Sequence, residues 1–120
     1  MKKIILGAGL LVATVAALPA IAANATICNA PAAAGSGAAV TGAADFVKVT
    51  FTPKCSANVF LVGNDQGPIV YTVGSASKKG KSYFDGSSAG GSVRRVGDCA
   101  TPNACAIGDA ENGATNAPTS

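Results

Sequence analysis

The sequence predicts a small all-β fold, an antiparallel β-sandwich (Ig-like or pilin-like in plan) of about six or seven strands stapled by disulfides. Two observations predict it. Short segments rich in Val, Ile, Phe, Thr and Tyr recur along the chain with turn residues between them, which is the pattern of short strands. Four cysteines follow an apolar N-terminal leader, and an even count in a small exported chain predicts two disulfides.

Residues 1–25 have the organisation of a secretory signal peptide. Two lysines precede the apolar run Ile4–Leu18, Pro19 interrupts it, and small residues follow. Ala22 and Ala25 each end an A-x-A motif, so we expect cleavage after one of them. The alternative, an uncleaved membrane anchor, disagrees with the proline and the paired cleavage motifs. We therefore expect a secreted or cell-surface protein that passes through the periplasm and keeps no membrane segment.

The next segment, residues 26–44, is an arm dominated by alanine and glycine. Pro31 and three glycines interrupt every helical turn that the alanines would favour. The arm is therefore either a flexible linker or an extended donor strand that pairs with the edge of a sheet. Residues 45–107 are predicted to form the sandwich domain. Residues 108–120 lack large apolar side chains, which predicts a flexible tail.

Five strands are predicted within the sandwich domain. The first alternates between apolar and polar residues, which indicates a half-buried strand. The second is apolar on both faces, which indicates a central strand. The turn-forming residues 63–68 join the second strand to the third and predict a β-hairpin. In chain order the predicted strands are Phe46–Thr52, Val59–Val62, Ile69–Val73, Ser82–Phe84 and Val93–Val96.

Four cysteines, Cys28, Cys55, Cys99 and Cys105, allow three pairings. A proline and an asparagine between the last two favour a turn. We therefore predict Cys99–Cys105 together with Cys28–Cys55. The rival pairing joins Cys55 to Cys99 and Cys28 to Cys105. A zinc site is not expected, because the chain has no histidine and no C-x₂-C spacing.

The composition excludes most catalytic chemistry. Without histidine the chain cannot form a Ser-His-Asp or Cys-His arrangement. Most of the carboxylates stand beside Asn or Gly, where they predict turns or caps. The acidic spacing at Asp109–Glu111 lacks the distal glutamate of an EF-hand and leaves only a weak calcium site as an alternative. We expect no enzyme activity and no cofactor.

The charge pattern also limits the kinds of partner that we expect. Loss of Lys2 and Lys3 with the leader lowers the formal net charge from +3 to +1, so nucleic acid is not an expected partner. Three lysines, Lys78, Lys79 and Lys81, lack interleaved aromatic residues and are read as a solvated loop; an acidic polysaccharide or a phosphate is the alternative ligand.

Three classes of function remain, and the third is an enzyme or toxin whose chemistry the sequence does not display. The first is a secreted structural subunit that self-assembles into a pilus-like extracellular filament by donating its arm to a neighbour, because a small sandwich with few charges leaves unprotected sheet edges. The alternative is a soluble secreted or periplasmic β-sandwich module that binds a sugar or a protein through loops 75–82 and 85–91. The candidate assembly surface consists of Phe60 and Val62 on the central strand and Ala38, Ala39 and Val40 on the arm.

Overall fold

The computed structural model describes residues 23–42 and 46–120. Most of the predicted leader lies outside these residues, and its cleavage stays a prediction. The described residues form seven strands and one helix. These elements are β1 (Asn24–Asn29), β2 (Gly35–Ser36), β3 (Lys54–Cys55), β4 (Val59–Asp65), β5 (Tyr71–Ser77), β6 (Ser82–Ser87), β7 (Arg94–Asp98) and α1 (Ile107–Asn116).

Five of the strands form one antiparallel sheet in the order β1-β4-β5-β6-β7. The predicted hairpin is confirmed as β4 and β5, which pair along seven positions from Val59–Ser77 to Asp65–Tyr71. Its turn contains Gly67 at a φ of 119°, a conformation that glycine adopts without strain. Strand β4 lies between β1 and β5, as expected of the doubly apolar segment. The two later predicted strands are also present, as β6 and β7.

The predicted strand over Phe46–Thr52 does not form. In this segment only Phe51 pairs, through an isolated bridge to Val40. Both sides of β4 are already occupied by β1 and β5, so the segment has no place beside this central strand. Its alternating pattern therefore does not become a ladder, and Val49 is largely exposed.

The predicted flexible tail is instead largely helical, which corrects the all-β prediction to a mostly β fold. Helix α1 packs across β4, β5 and β6 and buries Ala110, Gly113 and Ala114. These residues recur at the i, i+3, i+4 spacing of one helix face. A Cβ on Gly113 would lie 3.1 Å from the Cα of Gly74 on β5. The helix is held by close backbone approach rather than by large side chains.

The opposite side of the sheet carries a smaller layer instead of a full second sheet. Strands β2 and β3 pair as a two-stranded ribbon, and the ribbon is joined to β1 by the hydrogen bond from Ala38 N to Ile27 O, 2.8 Å long. The described architecture is thus a five-stranded sheet between a helix and a partial second layer.

Both disulfides have the predicted pairing, Cys28–Cys55 and Cys99–Cys105. The first closes residues 29–54 into a loop and holds it against β1. The second lies in the core beneath α1. The carboxylate of Asp109 accepts hydrogen bonds from Ala106 N at 2.8 Å and Ala100 N at 3.1 Å. It therefore caps the helix and fastens it to the small disulfide loop.

Candidate functional site

The face of the sheet under α1, the helix face, is closed. Phe60 is 8% exposed and Val62 is fully buried, and both pack against the helix alanines. The hydroxyl of Thr72 donates a 2.7 Å hydrogen bond to the carbonyl oxygen of Ala114. The two strand residues of the predicted assembly surface are therefore covered by their own chain, which leaves no contact there for a neighbour.

The arm residues of that predicted surface lie elsewhere. Val40 is buried against its own chain beside Ile27 and the Cys28–Cys55 disulfide, whereas Ala38 and Ala39 are exposed. The structure does not bring the arm residues together with Phe60 and Val62. The arm pairs instead with the chain's own β3 and with Phe51.

The two edges of the sheet are obstructed. At one edge, the arm bonds to the outer side of β1 through Ala38. At the other edge, β7 carries two arginines that form ion pairs, Arg94 with the buried Asp85 and Arg95 with Asp98. Charged side chains on an edge strand oppose the addition of a further strand. Neither edge is a ready template for strand pairing.

The face opposite α1, which we call the open face, carries exposed apolar side chains. Val73, Phe84 and Val93 lie around Gly86, where a Cβ would meet the Cγ2 atoms of Val73 at 3.3 Å and Val93 at 3.8 Å. The register places Phe84 opposite Ser75, on the face away from the helix. Phe84 is 39% exposed and Val93 72%. Together with Phe51, 52% exposed, they form an apolar stripe (Phe51, Val73, Phe84, Val93).

One end of the stripe leads into an apolar cavity of about 220 Å³ between the sheet and the disulfide-closed loop. The part of its wall formed by the described residues is apolar, because only carbon surfaces line it there. The sheet contributes Ile27, Leu61, Tyr71 and Val73, and the loop contributes Val40, Phe46, Val47, Phe51 and Pro53.

Tyr71 separates this apolar cavity from a smaller one. Its phenol lies over Gly63, where no space is left for a side chain, and its ring centroid is 5.7 Å from that of Phe46. The smaller cavity, about 70 Å³, shares Ile27, Val40 and Tyr71 with the larger one and also contains Asp65. Burial raises the pKa of Tyr71, and the negative charge of Asp65 raises it further.

The described residues contain no metal-binding cluster that a metal could use. The sole candidate group is Cys99, Cys105 and Asp109, but both thiols are consumed by the disulfide and the carboxylate caps α1. Asp109, the first residue of the weak calcium alternative, uses its carboxylate to accept the two backbone hydrogen bonds from Ala100 and Ala106. The three lysines of the predicted solvated loop lie exposed in and beside the turn between β5 and β6.

The sequence did not point to the open face. Phe84 and Val93 fall within predicted strands, but which face they expose depends on the helix, and the helix was not predicted. A signal for the stripe was present in part: Val93 and Phe84 are large apolar residues in segments otherwise rich in Gly, Ser and Arg.

Comparisons of the chain with protein-family models, with curated proteins and with solved structures return no match. Within residues 23–42 and 46–120, none of the helical structure has both the length and the apolar character that a bilayer crossing requires. The two disulfides indicate an oxidising environment such as the extracellular space.

Proposed function

We propose that this chain is a small exported structural subunit that self-assembles outside the cell through the apolar stripe on its open face. The stripe is the observation that carries the proposal. Small soluble domains rarely leave several large apolar side chains exposed side by side unless the patch is used for binding. One charged side chain lies beside it: Arg95 is paired across from Phe84 and forms an ion pair with Asp98.

Export is supported by the leader and by the disulfides. Strand β1 begins at Asn24, so cleavage after Ala22 leaves the whole strand in the mature protein, whereas cleavage after Ala25 removes its first two residues. We therefore favour Ala22 as the cleavage site. The proposed location is extracellular or on the cell surface.

The route of assembly differs from donation of the arm. The arm is closed into a loop by Cys28–Cys55 and is paired within its own chain, so donating it would require breaking those contacts. Two copies that pack open face to open face would instead bury both stripes between two sheets about 10 Å apart. The predicted β-sandwich would then form between two chains. A symmetric contact closes as a dimer, and an offset one extends into a pilus-like filament.

The test is to place a charge in the stripe. Val93→Lys and Phe84→Lys introduce a cation where little of the subunit's own core is disturbed. We expect sedimentation and negative-stain imaging to show assembly of the wild-type protein and a self-association constant weakened at least about tenfold in either variant, because a lysine would lose hydration on burial.

The matched control is Ile69→Lys. Ile69 is 81% exposed but lies in the turn between β4 and β5, outside the stripe. We expect this variant to assemble as the wild type does. A wild-type protein that stays monomeric at millimolar concentration, or equal losses in all three variants, would contradict the proposal.

A second candidate function is that of a soluble exported binding module. The apolar cavity favours it. The described lining of the cavity offers no hydrogen-bonding groups to sugar hydroxyls, so this observation supports an apolar ligand rather than a sugar.

A further inference from the structure

The turn between β5 and β6 carries the densest positive charge of the described chain. Lys78, Lys79 and Lys81 fall within four positions, and all three are exposed. The two ion pairs among the described residues are formed by Arg94 and Arg95, so none of these lysines has an ion-pair partner there. We propose that this turn, the basic turn (residues 78–81), binds an acidic polysaccharide.

The basic turn is held in place by the backbone around it. The amide nitrogen of Lys78 donates a 2.7 Å hydrogen bond to the carbonyl oxygen of Asn58. The amide nitrogen of Cys99 donates a 2.8 Å hydrogen bond to the carbonyl oxygen of Lys81, which ties the turn to the small disulfide loop. A ligand therefore orders only the lysine side chains and not the backbone that carries them, which lowers the entropic cost of binding.

The acids of the chain itself do not complement the basic turn. Three of the described acids are buried, namely Asp65, Asp85 and Asp109. Asp98 is exposed but is paired with Arg95. Among the described acids this leaves Glu111 alone as neither buried nor ion-paired. A second copy of the chain therefore offers the turn little negative charge, whereas a polymer with an acidic group on its repeating unit offers several such groups together.

Lysines at this spacing favour a polymer over a single small anion. An ammonium group is a point charge without the forked geometry by which arginine holds one carboxylate or phosphate, so the affinity depends on several contacts made together. Nucleic acid is the competing polyanion, but its single strands are also bound by aromatic side chains that stack on the bases. Residues 75–82 contain no aromatic residue, and Tyr83 packs on the helix face.

The test is a calorimetric titration of the exported, oxidised protein with polygalacturonate, and with dextran as the neutral comparison. We expect saturable binding of polygalacturonate and none of dextran. The affinity should fall at least about tenfold when the salt concentration is raised from about 50 mM to about 200 mM, because each lysine that contacts the polymer releases a counterion.

Two matched variants locate the binding. Lys78→Gln/Lys79→Gln removes two charges from the basic turn. Lys48→Gln/Lys54→Gln removes two exposed charges from the disulfide-closed loop, so the net charge changes equally. We expect the affinity for polygalacturonate to fall at least about tenfold in the first variant and to change little in the second, because the contacts depend on where the charges lie and not on the net charge alone.

The proposal is overturned by any of three results. These are an absence of saturable binding at the lower salt concentration, equal losses in the two variants, and a single-stranded DNA of matched charge bound as tightly as polygalacturonate, which would identify nucleic acid as the partner. If a variant does not fold, the wild-type comparisons with dextran and DNA decide. The basic turn lies outside the apolar stripe, so these titrations decide the proposal even if the wild-type protein stays monomeric.

Discussion

The two faces of the sheet are covered in opposite ways. On the helix face, the cover consists of small residues packed backbone to backbone, with Gly113 of α1 against Gly74 of β5. On the open face, large side chains such as Phe46 and Phe51 cover part of the sheet and leave a partly open cavity beneath the loop. The remainder, around Val93, is left in contact with solvent.

This difference shows that close packing, rather than the size of the apolar side chains, determines how completely a face of the sheet is covered. Alanine and glycine bury little apolar surface each, but they let the helix approach until few voids remain. The larger apolar residues on the open face are held by a loop whose position depends on one disulfide and a few backbone hydrogen bonds. The closed face then supplies stability, and the open face is the one available for binding.

Substitution of two glycines, one on each face, is the most direct test of this difference in packing. We expect Gly74→Ala to destabilise the fold by about 3 kcal/mol or more. The new Cβ would overlap the carbonyl oxygen of Ala110 and the amide nitrogen of Ala114, and both are backbone atoms that cannot turn aside. Urea unfolding of the oxidised protein measures the change.

The matched control is Gly86→Ala on the open face. Its Cβ would meet only the methyl groups of Val73 and Val93, at 3.3 Å and 3.8 Å. We expect a change of at most about 0.5 kcal/mol, which is usual for a surface substitution. Equal effects of the two substitutions would show that the helix does not pack as closely as described.

The two disulfides allow a second comparison, in which the expected difference between the faces is smaller. Cys28 and Cys55 are 27 residues apart, and Cys99 and Cys105 are 6 apart. The chain-entropy relation predicts that removing the first costs about 3.5 kcal/mol and removing the second about 2.3 kcal/mol. Paired Cys→Ala variants measured by urea unfolding test this order.

The position of each disulfide adds a further expectation. Removing Cys28–Cys55 should also expose the 29–54 loop to proteolysis, because this bond fastens the loop to β1. Removing Cys99–Cys105 should leave that loop protected. A reversed order of stabilities would mean that packing under α1 outweighs loop closure.

The sequence predicted what depends on local pattern. The β4–β5 hairpin, the positions of β6 and β7 and both disulfide pairings follow from apolar runs, turn residues and cysteine spacing. These signals are local because strand pairing across a short turn and closure of the short loop between Cys99 and Cys105 need no knowledge of the rest of the chain.

The errors concern what covers each face. Helix α1 was missed because its buried positions are Ala110, Gly113 and Ala114, which carry little hydrophobic signal. Without the helix, the sequence pattern leaves Phe60 and Val62 uncovered, which predicts a partner strand and an assembly surface there. The segment Phe46–Thr52 has a strand pattern, but both sides of the central strand β4 are already paired. Both errors come from tertiary context overriding a local pattern.

The smallest expected effect is a pH dependence of the free energy of unfolding, which we expect to come from the open face and not from the helix face. Tyr71 on the open face has a pKa raised above its ordinary value of 10.0, first by burial and then by the charge of Asp65. Its neutral form is therefore favoured by folding. The associated stability is complete below pH 10 and is lost as the pH rises through the raised folded-state value.

Tyr71→Phe should reduce the alkaline loss of stability, because phenylalanine has no proton to lose. The chain's other tyrosine, Tyr83, packs on the helix face, and Tyr83→Phe is the matched control. We expect urea unfolding between pH 9 and pH 11 to show a shallower decline for Tyr71→Phe than for the wild type or the control. A decline that is equally steep in all three proteins would mean that the Tyr71 phenol is in contact with water. The loop would then cover this end of the open face less closely than described.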